Sequence, residues 1–155
     1  MILQLVKFKC GNCKSEFKAP QLKTGVYAEF LLRSQNRGDV AYLDAMDDKT
    51  YDEVSRYLKG NSKLTGKSAN QMAAILQKSY GAIACDPDAF GNVYQIDASP
   101  VCPSCQSQTM EYWEVIEPPE FVESIVSSIT HRAWSLLSDD EKTEKVDQVL
   151  SDLGY

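Results

Sequence analysis

The first hydrophobic segments of the chain carry the spacing of strands. ILQLVKFK (residues 2–9) and EFKAP (16–20), then VYQID (93–97) and TMEYWEVIE (109–117), are rich in β-branched and aromatic residues, and each is expected to be extended. YAEFLLRSQNRGDVAYLDAM (27–46) shows two apolar runs around a polar turn at Ser34 to Asp39 with Asn36 and Gly38, the pattern of a β-hairpin. The period then changes from two to that of a helix. In TYDEVSRYLKG (50–60), Thr50 and Glu53 stand at capping-box spacing, Tyr51, Val54, Tyr57 and Leu58 fall at helical intervals, and Gly60 marks a stop. SANQMAAILQKSYG (68–81) repeats the plan, with Ser68 as cap, Gln71 three residues on, Met72, Ile75, Leu76 and Tyr80 on one face, and Gly81 as the expected terminator.

After Pro118 and Pro119, VESIVSSIT (122–130) suggests one more strand anchored by Ile125 and Ile129. A short helical turn around Trp134 and Leu137 follows. A final helix is capped by Ser138 with Glu141 and carries Val146, Val149, Leu150 and Leu153 on its inner stripe. Strands and helices in this arrangement indicate an α+β fold. The 155 residues suit one domain, and a 43% hydrophobic share is enough to bury a core. No apolar run approaches the roughly 20 residues of a membrane span. The N-terminus lacks the pattern of a signal peptide, so the chain reads as soluble and cytoplasmic.

Cysteine spacing adds the chemistry. Cys10 and Cys13 enclose two residues, as do Cys102 and Cys105, and 88 residues separate the pairs. Two such turns suit four thiolates around one tetrahedral zinc, because a two-residue spacer lets both sulfurs of a pair reach the same ion. With strands flanking both pairs, residues 2–19 and 93–116 resemble the zinc-ribbon, or rubredoxin-like, family, in which two cysteine knuckles at the tips of β-hairpins share one metal. The usual spacer of about 15 to 20 residues is here far longer. The resemblance therefore implies a discontinuous ribbon (1–19 and 93–117), an insertion at 20–92 made of the hairpin and helices, and a C-terminal strand and helix segment at 118–155. Four thiolates would close the coordination sphere and leave no position for water, which makes the zinc structural, one per chain, and not catalytic.

A thioredoxin-like redox pair would open a helix, whereas the residues after Cys105 have a β-rich composition. Disulfides fit poorly with five cysteines and no leader, and the fifth, Cys85, reads as a buried free thiol. GNSKLTGKS (60–68) places five residues between Gly60 and Gly66 where a phosphate-binding loop has four, and it follows a helix. Asp86, Asp88 and Asn92 lack the remaining ligands of a calcium loop. The RGD at Arg37–Asp39 reads as a turn. His131 reads as a helix-start residue packed on an aromatic ring. With no nucleophile beside a base in the sequence, no catalytic residue is expected.

Charge then separates two kinds of binding. The net charge is −6: residues 1–25 hold five lysines against Glu16, whereas residues 101–155 hold three basic and eleven acidic residues. An acidic surface favours a basic protein partner; one concrete form is an inhibitor or immunity-type protein covering a cationic, nuclease-like partner. The rival is nucleic-acid binding or a transcription-associated role through Lys7, Lys9, Lys14, Lys18 and Lys23, interleaved with Phe8 and Phe17 near the first knuckle.

Overall fold

The computed structural model describes residues 1–23 and 25–155. The chain is α+β, with strands β1 (Ile2–Cys10), β2 (Glu16–Gln21), β3 (Glu29–Ser34) and β4 (Val40–Asp44), then helices α1 (Lys49–Lys59) and α2 (Ala69–Ala84). Strands β5 (Tyr94–Ile96), β6 (Met110–Val115), β7 (Phe121–Glu123) and β8 (Ser127–Ser128) follow, and helices α3 (Arg132–Ser135) and α4 (Asp139–Asp152) end the chain. One sheet has the order β2-β1-β6, with β7 also paired to β1 beyond the end of β6. The other has the order β5-β3-β4-β8, in which only β8 is parallel to its neighbour. No helix among the described residues is long and apolar enough to cross a membrane.

The main core lies between the second sheet and the helices. Leu32, Leu43 and Ile96 of the sheet meet Val54 and Leu58 of α1, Ile75, Leu76, Tyr80 and Ile83 of α2, Trp134, and Val146 and Leu150 of α4. The first sheet has a far smaller core of Val6, Phe8 and Ala19, with Phe17 and Met110 against it. Arg33 links the two halves. Only 1% exposed, it points from β3 toward the first sheet and donates to the carbonyl oxygens of Pro20 and, at 3.2 Å, Ala98. One buried cation thus ties two of the three places where the chain crosses between the sheets, β2 to β3 and β5 to β6. Burial pulls its guanidinium down to about 10, which leaves it charged at neutral pH.

Local signals set most element boundaries. Ser68 with Gln71 and Ser138 with Glu141 both form reciprocal capping boxes, and the hairpin turns between Ser34 and Val40 as its polar residues predict. Elsewhere tertiary contacts override them. The cap of α1 is Asp48, whose Oδ1 accepts from Thr50 N at 2.9 Å, so Thr50 lies inside the helix. Gly81 does not end α2, which continues to Ala84; the missing side chain serves instead to let the backbone of Tyr94 pack against the helix. VYQID does not flank a ribbon knuckle as expected, since Tyr94–Ile96 pairs with β3 in the second sheet. The strand expected over 122–130 breaks into β7 and β8. Ile125 falls in the break and is fully exposed, whereas Ile129 packs on the main core.

Candidate metal centre

The first knuckle grows from the end of β1. Cys10 pairs with Met110 across a bulge, and the chain then turns so that Cys10 N donates to Ser15 O at 2.9 Å and Lys14 N to Cys10 O at 3.1 Å. The second knuckle repeats this turn 92 positions later. Cys102 N donates to Ser107 O at 2.8 Å and Gln106 N to Cys102 O at 2.9 Å. The residue after each pair, Lys14 at φ 64° and Gln106 at φ 66°, takes the left-handed conformation that closes the turn. Gly11 fits a close approach: a Cβ there would lie 3.2 Å from both Thr109 O and Thr109 Cγ2, tighter than an ordinary contact.

The four sulfurs converge from opposite ends of the chain and all lie within 4.8 Å of one another. Cys10 Sγ is 3.5 Å from Cys105 Sγ, and Cys13 Sγ is 3.6 Å from Cys102 Sγ. A tetrahedral ion with metal–sulfur bonds of about 2.3 Å needs sulfur–sulfur edges of about 3.8 Å, so the group closes around one metal with small adjustments. These distances are far beyond a disulfide bond of about 2.05 Å, and all five cysteines are free. Cys10 and Cys102 are fully buried, whereas Cys13 is exposed and Cys105 half-buried.

The surroundings favour thiolates. Cys10 Sγ accepts from Asn12 N at 3.4 Å and Cys13 N at 3.5 Å, and Cys105 Sγ accepts from Asn12 Nδ2 at 3.5 Å. Ser15 Oγ lies 3.0 Å from Cys13 Sγ, and this hydrogen bond draws the thiol down to about 6. The Asn12 amide likewise lowers Cys105, while burial raises Cys102. Donors aimed at sulfur and a set of four soft ligands are what a tetrahedral metal ion requires. The sequence singled out all four clustered cysteines; it did not mark Asn12 or Ser15 as partners of their sulfurs. The signal available was the serine two residues after each pair, Ser15 and Ser107, which recurs in both knuckles.

The other chemically notable residues lie elsewhere. His131 starts α3 and packs edge-to-face on Tyr80, their ring centroids 5.7 Å apart. Its Nδ1 donates to Ala84 O at 2.7 Å, and its Nε2 faces Asp48 Oδ2 at 2.7 Å, an oxygen that also accepts from the Tyr80 hydroxyl at 2.9 Å. Both ring nitrogens face acceptors, which favours an imidazolium paired with a carboxylate. Burial opposes the charged form of His131, but the Asp48 and Ala84 hydrogen bonds outweigh it and raise the pKa; burial likewise opposes the charged form of Asp48, but His131, Tyr80 and Thr50 N outweigh it and lower the pKa. Cys85 is half-buried, its thiol pushed up by burial and by Asp48. Asp86 and Asp88 serve locally: Asp86 accepts from Arg132 N and Ala133 N, and Asp88 from Phe90 N and Asn92 N.

The His131–Asp48 pair has a measurable consequence. A raised histidine contributes stability fully below its ordinary value of about 6.5 and loses it as pH rises through the raised value. A lowered aspartate contributes above its ordinary value of about 3.9 and loses it as pH falls. The destabilisation caused by His131→Gln is therefore expected to peak between these limits, at about 2 kcal/mol, and to shrink in alkaline solution. Urea melts of both proteins across pH, compared as differences, test this; a gap that widens above neutral pH contradicts it.

Four of the five lysines of the expected basic run are held in ion pairs. Lys7 Nζ lies 2.6 Å from Glu114, Lys18 Nζ 2.8 Å from Glu120, and Lys9 and Lys14 lie 3.4 and 3.7 Å from Glu111. Phe8, expected in a stacking patch, is buried and stacks on Phe17 at 5.9 Å. No family model, no curated protein and no solved structure matches this chain.

Proposed function

We propose that this chain is a non-catalytic interaction protein whose first sheet is a zinc ribbon and whose partner is a basic protein. Zinc, when bound, would supply a crosslink between residues 10–13 and 102–105; Cys10, Cys13, Cys102 and Cys105 would hold it, one ion per chain, and four thiolates would leave no position for a reacting water. Elemental analysis of freshly purified, reduced protein checks the metal. A ratio near one zinc per chain is expected, and iron in its place would redirect the reading to an iron–sulfur centre.

The observation that carries the choice of partner is the fate of the charges. Lys7, Lys9, Lys14 and Lys18 are engaged by glutamates within the sheet, which lowers their value for phosphate contacts. On α4, by contrast, Asp140 and Glu144 are exposed and form no ion pair among the described residues. Such a surface attracts a cationic partner and speeds its association. An inhibitor of a cationic, nuclease-like protein is one form this takes, and it rests on charge alone. A non-catalytic role accords with His131, whose two ring nitrogens are both committed to internal partners.

The test is binding of labelled oligonucleotides and of polylysine at low salt. Polylysine is expected to bind with an affinity that salt weakens, and the oligonucleotides are not. Oligonucleotide binding abolished by Lys7→Glu and Lys9→Glu would reverse the assignment in favour of nucleic acid.

A further inference from the structure

The first sheet has two unlike faces, and register separates them. Across its strands run the rows Phe17–Phe8–Trp113, Ala19–Val6–Val115 and Gln21–Gln4–Phe121 on one face. The other face carries Lys18–Lys7–Glu114 and Glu16–Lys9–Tyr112. On the apolar face the residues of β1 are buried, yet the edge is open: Trp113 is 62% exposed and Phe121 52%. Gln4, Val6, Phe8, Trp113 and Val115, facing Asp97 to Ser99, line a cleft of about 390 Å³. β6 is the outer strand at this side, so one row of its backbone N–H and C=O groups has no strand partner among the described residues.

Charge selects what could pair there. Glutamates recur every third residue along this edge, at 111, 114, 117, 120 and 123. Lysines of the sheet engage Glu111, Glu114 and Glu120. Glu117 and Glu123 are exposed and form no ion pair among the described residues, and exposed Asp97 stands beside the cleft. A second copy of β6 would bring like charges together, whereas a basic strand would neutralise them.

The geometry points to β6 as a docking edge for an extended segment of the basic partner, one that alternates aliphatic and lysine or arginine residues. Its backbone continues the sheet beyond β6. Its aliphatic side chains enter the cleft over Trp113 and Val115, and its cationic ones meet Glu117 and Asp97, exposed acids at this edge that form no ion pair among the described residues. Main-chain hydrogen bonds supply affinity and the alternate side chains supply specificity, with Trp113, an exposed aromatic at a cleft, as the anchor. This surface rests on the basic-partner reading above and names where that partner binds.

The test uses the full, zinc-loaded chain and a synthetic peptide of alternating lysine and valine, beside the same peptide N-methylated at alternate residues and polylysine. Trp113 reports binding by a fluorescence shift, since Trp134 is only 2% exposed; a labelled peptide gives the affinity of Trp113→Ala. The expected result is binding of the unmodified peptide, a loss of about thirtyfold or more in Trp113→Ala, and a comparable loss on N-methylation, which blocks strand pairing but keeps charge. Equal binding of all three ligands, unchanged in Trp113→Ala, would overturn the docking edge while leaving a basic partner in place. No binding of any cationic ligand would remove the basic partner and the edge with it. Dimers in sedimentation that Trp113→Ala dissociates would assign the edge to a second copy and overturn the proposal.

Discussion

Removing the metal with a strong chelator is expected to unfold the first sheet while the helical half keeps its secondary structure. The reason is the disparity between the cores. Sixteen buried residues hold α1, α2, Trp134 and α4 against the second sheet, whereas the buried apolar cluster under the first is Val6, Phe8 and Ala19, with Leu3 of β1 also buried. Leu3, Val6 and Phe8, at roughly 1.5 to 3 kcal/mol each, with the smaller Ala19, cannot offset the entropy of ordering β1, β2, β6 and two knuckles. A structural zinc contributes on the order of 10 to 16 kcal/mol in small zinc peptides, enough to decide whether the first sheet folds. Cys13→Ser and Cys102→Ser are expected to act alike, because each removes one ligand from the same ion although one residue is exposed and the other fully buried. Hydrogen exchange with and without chelator reads the result directly: protection should vanish in residues 2–21 and 110–115 and persist in 69–84. Retained protection in β1, or variants of very unequal severity, would mean that the four sulfurs do not share an ion.

Gly81→Ala is expected to destabilise the chain by about 3 kcal/mol, although replacing a mid-helix glycine with alanine ordinarily stabilises by about 1 kcal/mol. A Cβ at this position would collide with the carbonyl oxygen of Tyr94 and lie 2.7 Å from its carbonyl carbon, and both are backbone atoms that no rotamer change can move aside. The helix or β5 must shift. β5 is held to β3 at Leu32, Arg33 and Ser34, and a few residues later the chain supplies the Ala98 carbonyl to Arg33 and then enters the second knuckle. The strain should therefore also lower metal affinity. Denaturant melts and a zinc competition assay measure the two effects; a stabilised variant would show that helix propensity and not the contact with β5 governs this position.

Both cases show why part of this molecule is legible in its residues and part is not. Signals acting within about four residues were readable: the spacing within each cysteine pair, the serine caps at 68 and 138 with Gln71 and Glu141, the polar turn at 34–39, and the apolar stripes of α2 and α4. Their physics is local, since a side chain that caps a backbone N–H or turns a chain needs only its neighbours. Asp48 caps α1 through a local bond to Thr50 N that the capping-box spacing of Thr50 and Glu53 masked, whereas the partners of its other oxygen, His131 and Tyr80, lie 83 and 32 residues away in sequence. Lysines that form a basic run on paper are engaged by glutamates from a strand about a hundred residues later. Likewise VYQID has a strand's composition but nothing in it names β3 as its neighbour.

By itself the sequence determined the α+β class, the four cysteines that cluster, and the serine caps of α2 and α4, because each is specified by chemistry among adjacent residues. Only the tertiary structure decided which strands pair, which charges remain unengaged and which apolar face stays open, because those depend on chain segments meeting through packing, where burial and backbone contact outweigh local preference.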